Sequence, residues 1–190
     1  MGYVMPHSPN QPTPEHSSPE HSSNPSHSYL SGLFDAYQGE VYGIVMYERI
    51  SSSRLCAEER AKWEVLVDLE KTTKAVLTPI MKQYGLSTKS LPASITDGWQ
   101  DAGQYLHLSW KSLMKRFSDE LNTDIITYQN LLVQCPSGDQ KAITYLVDHE
   151  YATKAFCDME LANTQSGVSL QPVYDLIASA DQVFLTGKSE

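Results

Sequence analysis

The sequence predicts an all-α protein, an antiparallel four-helix bundle followed by a short fifth helix. From Tyr29 onward, apolar residues recur at the three- and four-residue spacing of a helix, and the alternating runs typical of strands are missing. Four long segments carry this pattern, and short breaks rich in Gly, Pro and Ser separate them. With 190 residues, 41% of them hydrophobic, the chain can bury one sizeable core. We therefore divide it into a tail, residues 1–28, and a helical domain, residues 29–190.

The tail has the composition of a disordered segment. It is rich in Pro, Ser and His, and it contains a tandem Pro-Glu-His-Ser-Ser repeat at residues 14–18 and 19–23. Such a segment cannot bury enough apolar surface to offset the entropy lost on ordering. His-rich tracts can gather metal, but the spacing of these histidines fits no compact ligand set, which favours a solvated tail.

The first two helices are predicted over residues 29–50 and 57–84. In both segments the apolar residues form one stripe along the helix, as expected for helices packed on a core. The second helix should end at Gly85, because glycine readily adopts the positive φ that terminates many helices.

The third helix is predicted to extend over residues 96–134, with a bend near 122–123. It ends where the sequence Cys-Pro-Ser-Gly at 135–138 breaks the pattern. A fourth helix over residues 139–163 and a shorter fifth over residues 171–184 complete the domain.

Polar residues interrupt the apolar stripes of the four long helices near their midpoints. The charged or ionisable ones, Glu40, Glu70, His107 and Glu150, lie about ten to thirteen residues from the start of their helices, so antiparallel packing would bring them to one level. The full set is Glu40 in the first helix, Glu70 and Thr73 in the second, His107 with Gln104 beside it in the third, and Glu150 and Thr153 in the fourth.

Several buried carboxylates at one level need a compensating group. Their negative charge must be balanced by a cation, a protonated partner or a hydrogen-bond network, since an isolated buried charge is very costly. A metal ion satisfies this need most economically. The sequence therefore predicts a metal site with Glu40, Glu70 and Glu150 as carboxylate ligands and His107 as the nitrogen donor.

The order of these motifs resembles the ferritin-like, or rubrerythrin-like, superfamily of di-iron carboxylate proteins. Residues 38–42 (Gln-Gly-Glu-Val-Tyr) are similar to its first-helix glutamate segment, and residues 102–104 (Ala-Gly-Gln) to its third-helix Ala-Gly-Glu segment. Residues 70–73 and 150–153 stand where the family has its two Glu-x-x-His pairs, with Thr in place of both histidines. The resemblance covers residues 29–163. It implies a bundle that binds two iron or manganese ions and activates oxygen or peroxide.

Three arrangements of the polar residues remain open from the sequence. In the first, a rebuilt metal site uses the ligands named above, with Gln104, Thr73 and Thr153 as weak ligands or hydrogen-bonding neighbours. In this arrangement His149 is a weak candidate, because it points about 100° away from the next residue, Glu150, on an ideal helix. In the second, the metal is lost and the carboxylates share protons. In the third, the helices are rotated and the glutamates face solvent.

Two classes of function follow from these arrangements. The first is a metal-binding protein that uses iron or manganese in oxidoreductase or metal-handling chemistry. The second is a metal-free bundle, without cofactor, that binds a protein partner or serves a structural purpose. The resemblance is also compatible with a homodimer. Whether the protein is an enzyme is left open by the sequence.

Charge and composition exclude other classes of function. The formal net charge of -9 disfavours nucleic acid, whose phosphates an acidic chain repels. No apolar run approaches the roughly 18 residues of a transmembrane helix. The N-terminus lacks the basic and apolar regions of a secretory signal. The three cysteines are far apart and odd in number, so they predict no disulfide framework. We therefore expect a cytoplasmic protein that binds neither nucleic acid nor membranes.

Overall fold

The computed structural model describes residues 25–162 and 167–185, and within these ranges it contains six helices and no strand. The all-α prediction is therefore confirmed. No helix in this part of the chain is both long and apolar enough to cross a bilayer. The helices are α1 (His27–Ser53), α2 (Ala57–Gln83), α3 (Pro92–Ala102), α4 (Trp110–Gln134), α5 (Gln140–Leu161) and α6 (Gln171–Leu185).

The predicted boundaries of the first, second, fourth and fifth helices lie within a few residues of those observed. α1 begins two residues earlier than expected because Ser26 caps it, its hydroxyl oxygen accepting the Tyr29 backbone N–H at 3.1 Å. α2 is followed by Gly85 with a φ of 66°, as its terminating role requires. Most of the tail predicted to be disordered, residues 1–24, lies outside the described residues.

The prediction of one long third helix is wrong, because α3 and α4 are separate helices joined by residues 103–109. The hydroxyl of Ser109 starts α4 by accepting the backbone N–H of Ser112 at 3.3 Å. A residue far from it in the sequence also holds the joining segment. The guanidinium of Arg54, just after α1, donates to the carbonyls of Tyr105 and Leu108 at 2.9 and 2.8 Å.

The helices pack in two main pairs, α1 along α2 and α4 along α5. α3 lies on α1 at Gly98, where an added Cβ would be only 2.5 Å from the carbonyl oxygen of Tyr42. α6 covers α5 and α2. Contacts between α1 and α4 are sparse, and they leave a cleft that we call the α1–α4 seam.

The buried apolar residues form two separate clusters. One contains the aromatic rings of Tyr47, Trp63 and Phe117, which meet at steep angles, with Trp63 5.1 Å from Tyr47 and 5.3 Å from Phe117 between ring centres. We call it the Trp63 cluster. The other, the Leu77 cluster, includes Leu77 and Ile143. Between the two clusters, at the middle of α1, α2 and α5, the buried side chains are largely polar.

Candidate metal centre

The polar level between the two clusters consists of buried side chains from α1, α2 and α5. Its members, which we call the carboxylate layer, are Glu40, Glu70, Thr73, His149 and Glu150. One ligand atom each from Glu40, Glu70 and His149 lie within 4.8 Å of one another. The arrangement in which the glutamates face solvent is therefore wrong, and the stripes predicted from the sequence place the three glutamates correctly in the interior.

A chain of hydrogen bonds fixes the orientation of His149. Its Nδ1 lies 2.9 Å from the hydroxyl oxygen of Thr73, and that hydroxyl donates its proton to the carbonyl of Leu69 at 3.0 Å. Since a hydroxyl has one proton, the Thr73 oxygen must accept from Nδ1–H. The lone pair of the neutral imidazole is then on Nε2, which lies 3.4 Å from Oε1 of Glu70. Histidines that ligate metals are commonly held in this way, by a hydrogen bond to the other ring nitrogen.

Glu40 has an unsatisfied carboxylate oxygen. Its Oε2 lies 3.5 Å from Nδ1 of His149, whose proton is directed to Thr73, and no hydrogen-bond partner for this oxygen is found in the described part of the chain. The residue is only 1% exposed. A buried acceptor without a donor is costly, and either a proton or a cation would relieve the cost.

The electrostatics of the layer favour bound protons when no cation is present. Burial raises the pKa of Glu40 well above its usual value, and the charges of Glu70 and Glu150 raise it further. Burial likewise raises the pKa of Glu150 to about 8. For His149, burial by itself lowers the pKa, but the neighbouring carboxylates, above all Glu70, outweigh it and the net shift is upward. A metal ion would displace these protons, which links metal binding to pH.

The layer lines a cavity of about 170 Å³ that extends towards α4. The carboxyl groups of Glu40, Glu70 and Glu150 line it, and α4 adds Asp124. Gly43 forms part of the wall, and the Glu70 carboxyl packs directly on it. A Cβ at Gly43 would lie 2.5 Å from the carboxyl carbon. The cavity therefore gathers four carboxylates from four helices.

Two predicted site residues of the third helix do not reach the layer. His107, predicted as the nitrogen ligand, is exposed in the segment between α3 and α4, and the structure does not bring it together with the three glutamates. Gln104 is exposed as well and bonds to Asp101 and Arg116 on the surface. Both were placed inside only because the third helix was extended through residues 103–109.

The two threonines predicted beside the glutamates are both fully buried. Thr73 supports His149, as described above. The hydroxyl of Thr153 has no hydrogen-bond partner among the described residues. Each therefore lies at the predicted level, but only Thr73 has a visible function there.

Sequence reasoning missed the importance of His149 and did not consider Asp124. His149 is buried together with its neighbour Glu150 because α5 packs against three helices, α4, α6 and α2, and so buries more than one face. The sequence does contain a signal, since residues 142–147 are apolar nearly all around the helix. Asp124 lies three residues after Leu121, on the same stripe of α4, so the helical spacing contains a signal for it as well.

Comparisons with known proteins add no family assignment: the chain matches no family model, no curated protein and no solved structure.

Proposed function

We propose that this chain is a metal-binding protein of ferritin-like architecture, in which α1, α2, α4 and α5 form an antiparallel four-helix bundle around the carboxylate layer. The pairing of α1 with α2 and of α4 with α5 supports this arrangement. So does the position of the layer at the middle of the helices, between two apolar clusters.

The observation that carries the proposal is the convergence of Glu40, Glu70 and His149. Their ligand atoms lie within 4.8 Å of one another in a buried site, and one oxygen of Glu40 has no hydrogen-bond partner in the described residues. A divalent cation held by two carboxylates and Nε2 of His149 would balance the charge and satisfy that oxygen. Glu150 supplies a further carboxylate on the same cavity. A donor set of oxygen and imidazole suits iron or manganese.

The residues of the chain would prepare the site in three ways. Thr73 keeps the proton of His149 on Nδ1, so that Nε2 is free to bind. Glu40 and Glu150 release protons as a cation binds, because burial raises the pKa of each. The Trp63 and Leu77 clusters exclude water from both ends of the layer. Bound iron or manganese would supply redox chemistry with oxygen or peroxide, which makes the protein an oxidoreductase or a metal-handling protein.

The raised pKa values of Glu40 and Glu150 also favour a second candidate, a metal-free bundle whose carboxylates share protons and which acts by binding a protein partner. The two candidates differ in how Glu→Gln variants behave. In the metal-free case an amide replaces a carboxyl group that is already neutral, so stability should be equal or higher.

Elemental analysis of purified protein would test the proposal. The full chain should be used with His7, His16, His21 and His27 changed to Asn, so that the tail cannot gather metal. We expect near-stoichiometric iron or manganese, which Glu70→Gln abolishes. The control is Glu64→Gln, an exposed glutamate on the same helix, which should leave metal content unchanged. If no metal is found even after anaerobic loading with ferrous iron, the metal-free candidate is correct.

A further inference from the structure

We propose that metal ions reach the carboxylate layer through the α1–α4 seam, and that Asp124 is the carboxylate that takes them from solvent. This inference rests on the proposed function, since it concerns how the same site is filled.

The exposure of the cavity walls indicates where the cavity opens. Of the four carboxylates that line it among the described residues, Glu40, Glu70 and Glu150 are buried and Asp124 is exposed. Three further lining residues, Gly39, Tyr42 and Tyr128, are partly exposed. All of these belong to α1 or α4, so the opening lies between these two helices.

The other approaches to the layer are closed by packing. The Trp63 cluster and the Leu77 cluster fill the interior on either side of the layer. α6 covers α2 and α5, and α1 packs closely along α2. The sparse contact between α1 and α4 is therefore the weak point of the surface around the site.

The seam also contains a second cavity. Its volume is about 310 Å³, it lies next to the inner one, and the two share Tyr128 as a common wall. The hydroxyl of Tyr128 touches α1 at Gly39, where an added Cβ would lie 3.0 Å from it. Tyr128 therefore stands between the outer cavity and the carboxylate layer, and Asp124 lies one turn of α4 before it.

The size and charge of the inner cavity suit a partly hydrated cation. Its volume of about 170 Å³ corresponds to roughly five or six water molecules at ~30 Å³ each. A cation that enters a buried site must exchange its waters for protein ligands, and an exposed carboxylate at the opening provides the first of them. The three buried glutamates behind Asp124 then offer the ion further oxygen ligands.

Uptake of Co²⁺ by the metal-free full chain, followed by stopped-flow fluorescence, would test the inference. Trp63 is a suitable reporter because its ring contacts Tyr47, which lines the cavity. We expect Asp124→Asn to slow uptake about five- to tenfold without changing the amount of Co²⁺ bound at equilibrium. Asp124→Glu should restore the rate. Asp68→Asn, which removes an exposed carboxylate from α2 outside the cavity, is the control for net charge and should have little effect.

Three outcomes would overturn the inference. If Asp124→Asn takes up Co²⁺ as fast as the wild type, the ion does not pass Asp124. If this variant loses stoichiometric binding, Asp124 is a ligand of the bound ion instead of a carrier at the opening. If the wild-type chain itself binds no Co²⁺, iron or manganese, the proposed function fails and the inference fails with it.

Discussion

At the scale of single residues, Gly43 is placed where any side chain would disturb the candidate metal centre. The Glu70 carboxyl occupies the space that a Cβ at this position would need, at 2.5 Å. Glycine in the middle of a helix costs about 1 kcal/mol relative to alanine. We therefore predict that Gly43→Ala keeps the protein folded and weakens metal binding about tenfold or more, because Glu70 must move.

Titration of the metal-free protein with Mn²⁺, followed by the loss of the free-ion EPR signal, would measure this effect. Gly39→Ala is the matched control, since its Cβ would meet only the movable tip of Tyr128. Equal affinity of Gly43→Ala and wild type would show that the position of Glu70 against Gly43 is unimportant for binding.

The buried positions of the three glutamates could be predicted from the sequence, but the importance of His149 could not. Helical spacing placed Glu40, Glu70 and Glu150 inside, because a carboxylate within an apolar stripe has nowhere else to point. The same rule assigned a single face to each helix and so discounted His149. That rule fails on α5, which is buried on more than one side. The part of Thr73 in orienting His149 depends on a contact between residues 76 positions apart, which no local pattern contains.

At the scale of the elements, the separation of α3 from α4 depends on Arg54. This buried guanidinium satisfies the carbonyls of Tyr105 and Leu108 in the segment between the helices. We predict that Arg54→Met lowers the free energy of unfolding by about 1–3 kcal/mol, because the carbonyl of Leu108 loses its side-chain donor and that of Tyr105 keeps only the backbone N–H of Leu108. Urea denaturation would measure the loss.

The control for this variant is Lys71→Met, which removes an exposed ion pair with Glu48. Such pairs contribute at most about 1 kcal/mol. If Arg54→Met loses no more stability than Lys71→Met, the segment between α3 and α4 does not need the guanidinium.

The same contact explains why four helices could be predicted and the third could not. Local signals such as Gly85 and the Cys-Pro-Ser-Gly break terminate α2 and α4 close to where they were expected. Between α3 and α4 the apolar spacing continues through Leu106 and Trp110, so periodicity alone extends the helix. The hydrogen bonds that fix the segment between α3 and α4 come from Arg54, which lies 51 positions before Tyr105 in the chain.

At the scale of the whole molecule, the carboxylate layer divides the core and couples its stability to pH. The Trp63 cluster and the Leu77 cluster each bury apolar side chains, and the layer between them buries ionisable groups at a cost. The protein meets that cost with protons when no metal is bound. A folded state that holds extra protons is most stable at a pH low enough for the unfolded chain to hold the same protons.

We therefore predict that the metal-free protein loses stability as the pH rises from about 5 to 8. Glu150 has a pKa of about 8 in the folded protein against 4.5 for an ordinary glutamate, and the pKa values of Glu40 and His149 are also raised. Below pH 4.5 the folded and unfolded states bind the same protons at Glu150, so its contribution is fully present. It is lost as the pH rises through 8, at up to about 1.4 kcal/mol per pH unit for each proton held.

Urea denaturation of metal-free protein at several pH values would measure this slope, and Glu150→Gln should flatten it, since the amide does not titrate. Glu64→Gln, on the exposed face of α2, should leave it unchanged. Addition of Mn²⁺ should reverse the trend, because the ion competes with fewer protons at high pH and its stabilising effect therefore grows from pH 5 to 8. A metal-free protein that becomes more stable over this range would contradict the prediction, because it would mean that the layer does not hold its protons in the folded state.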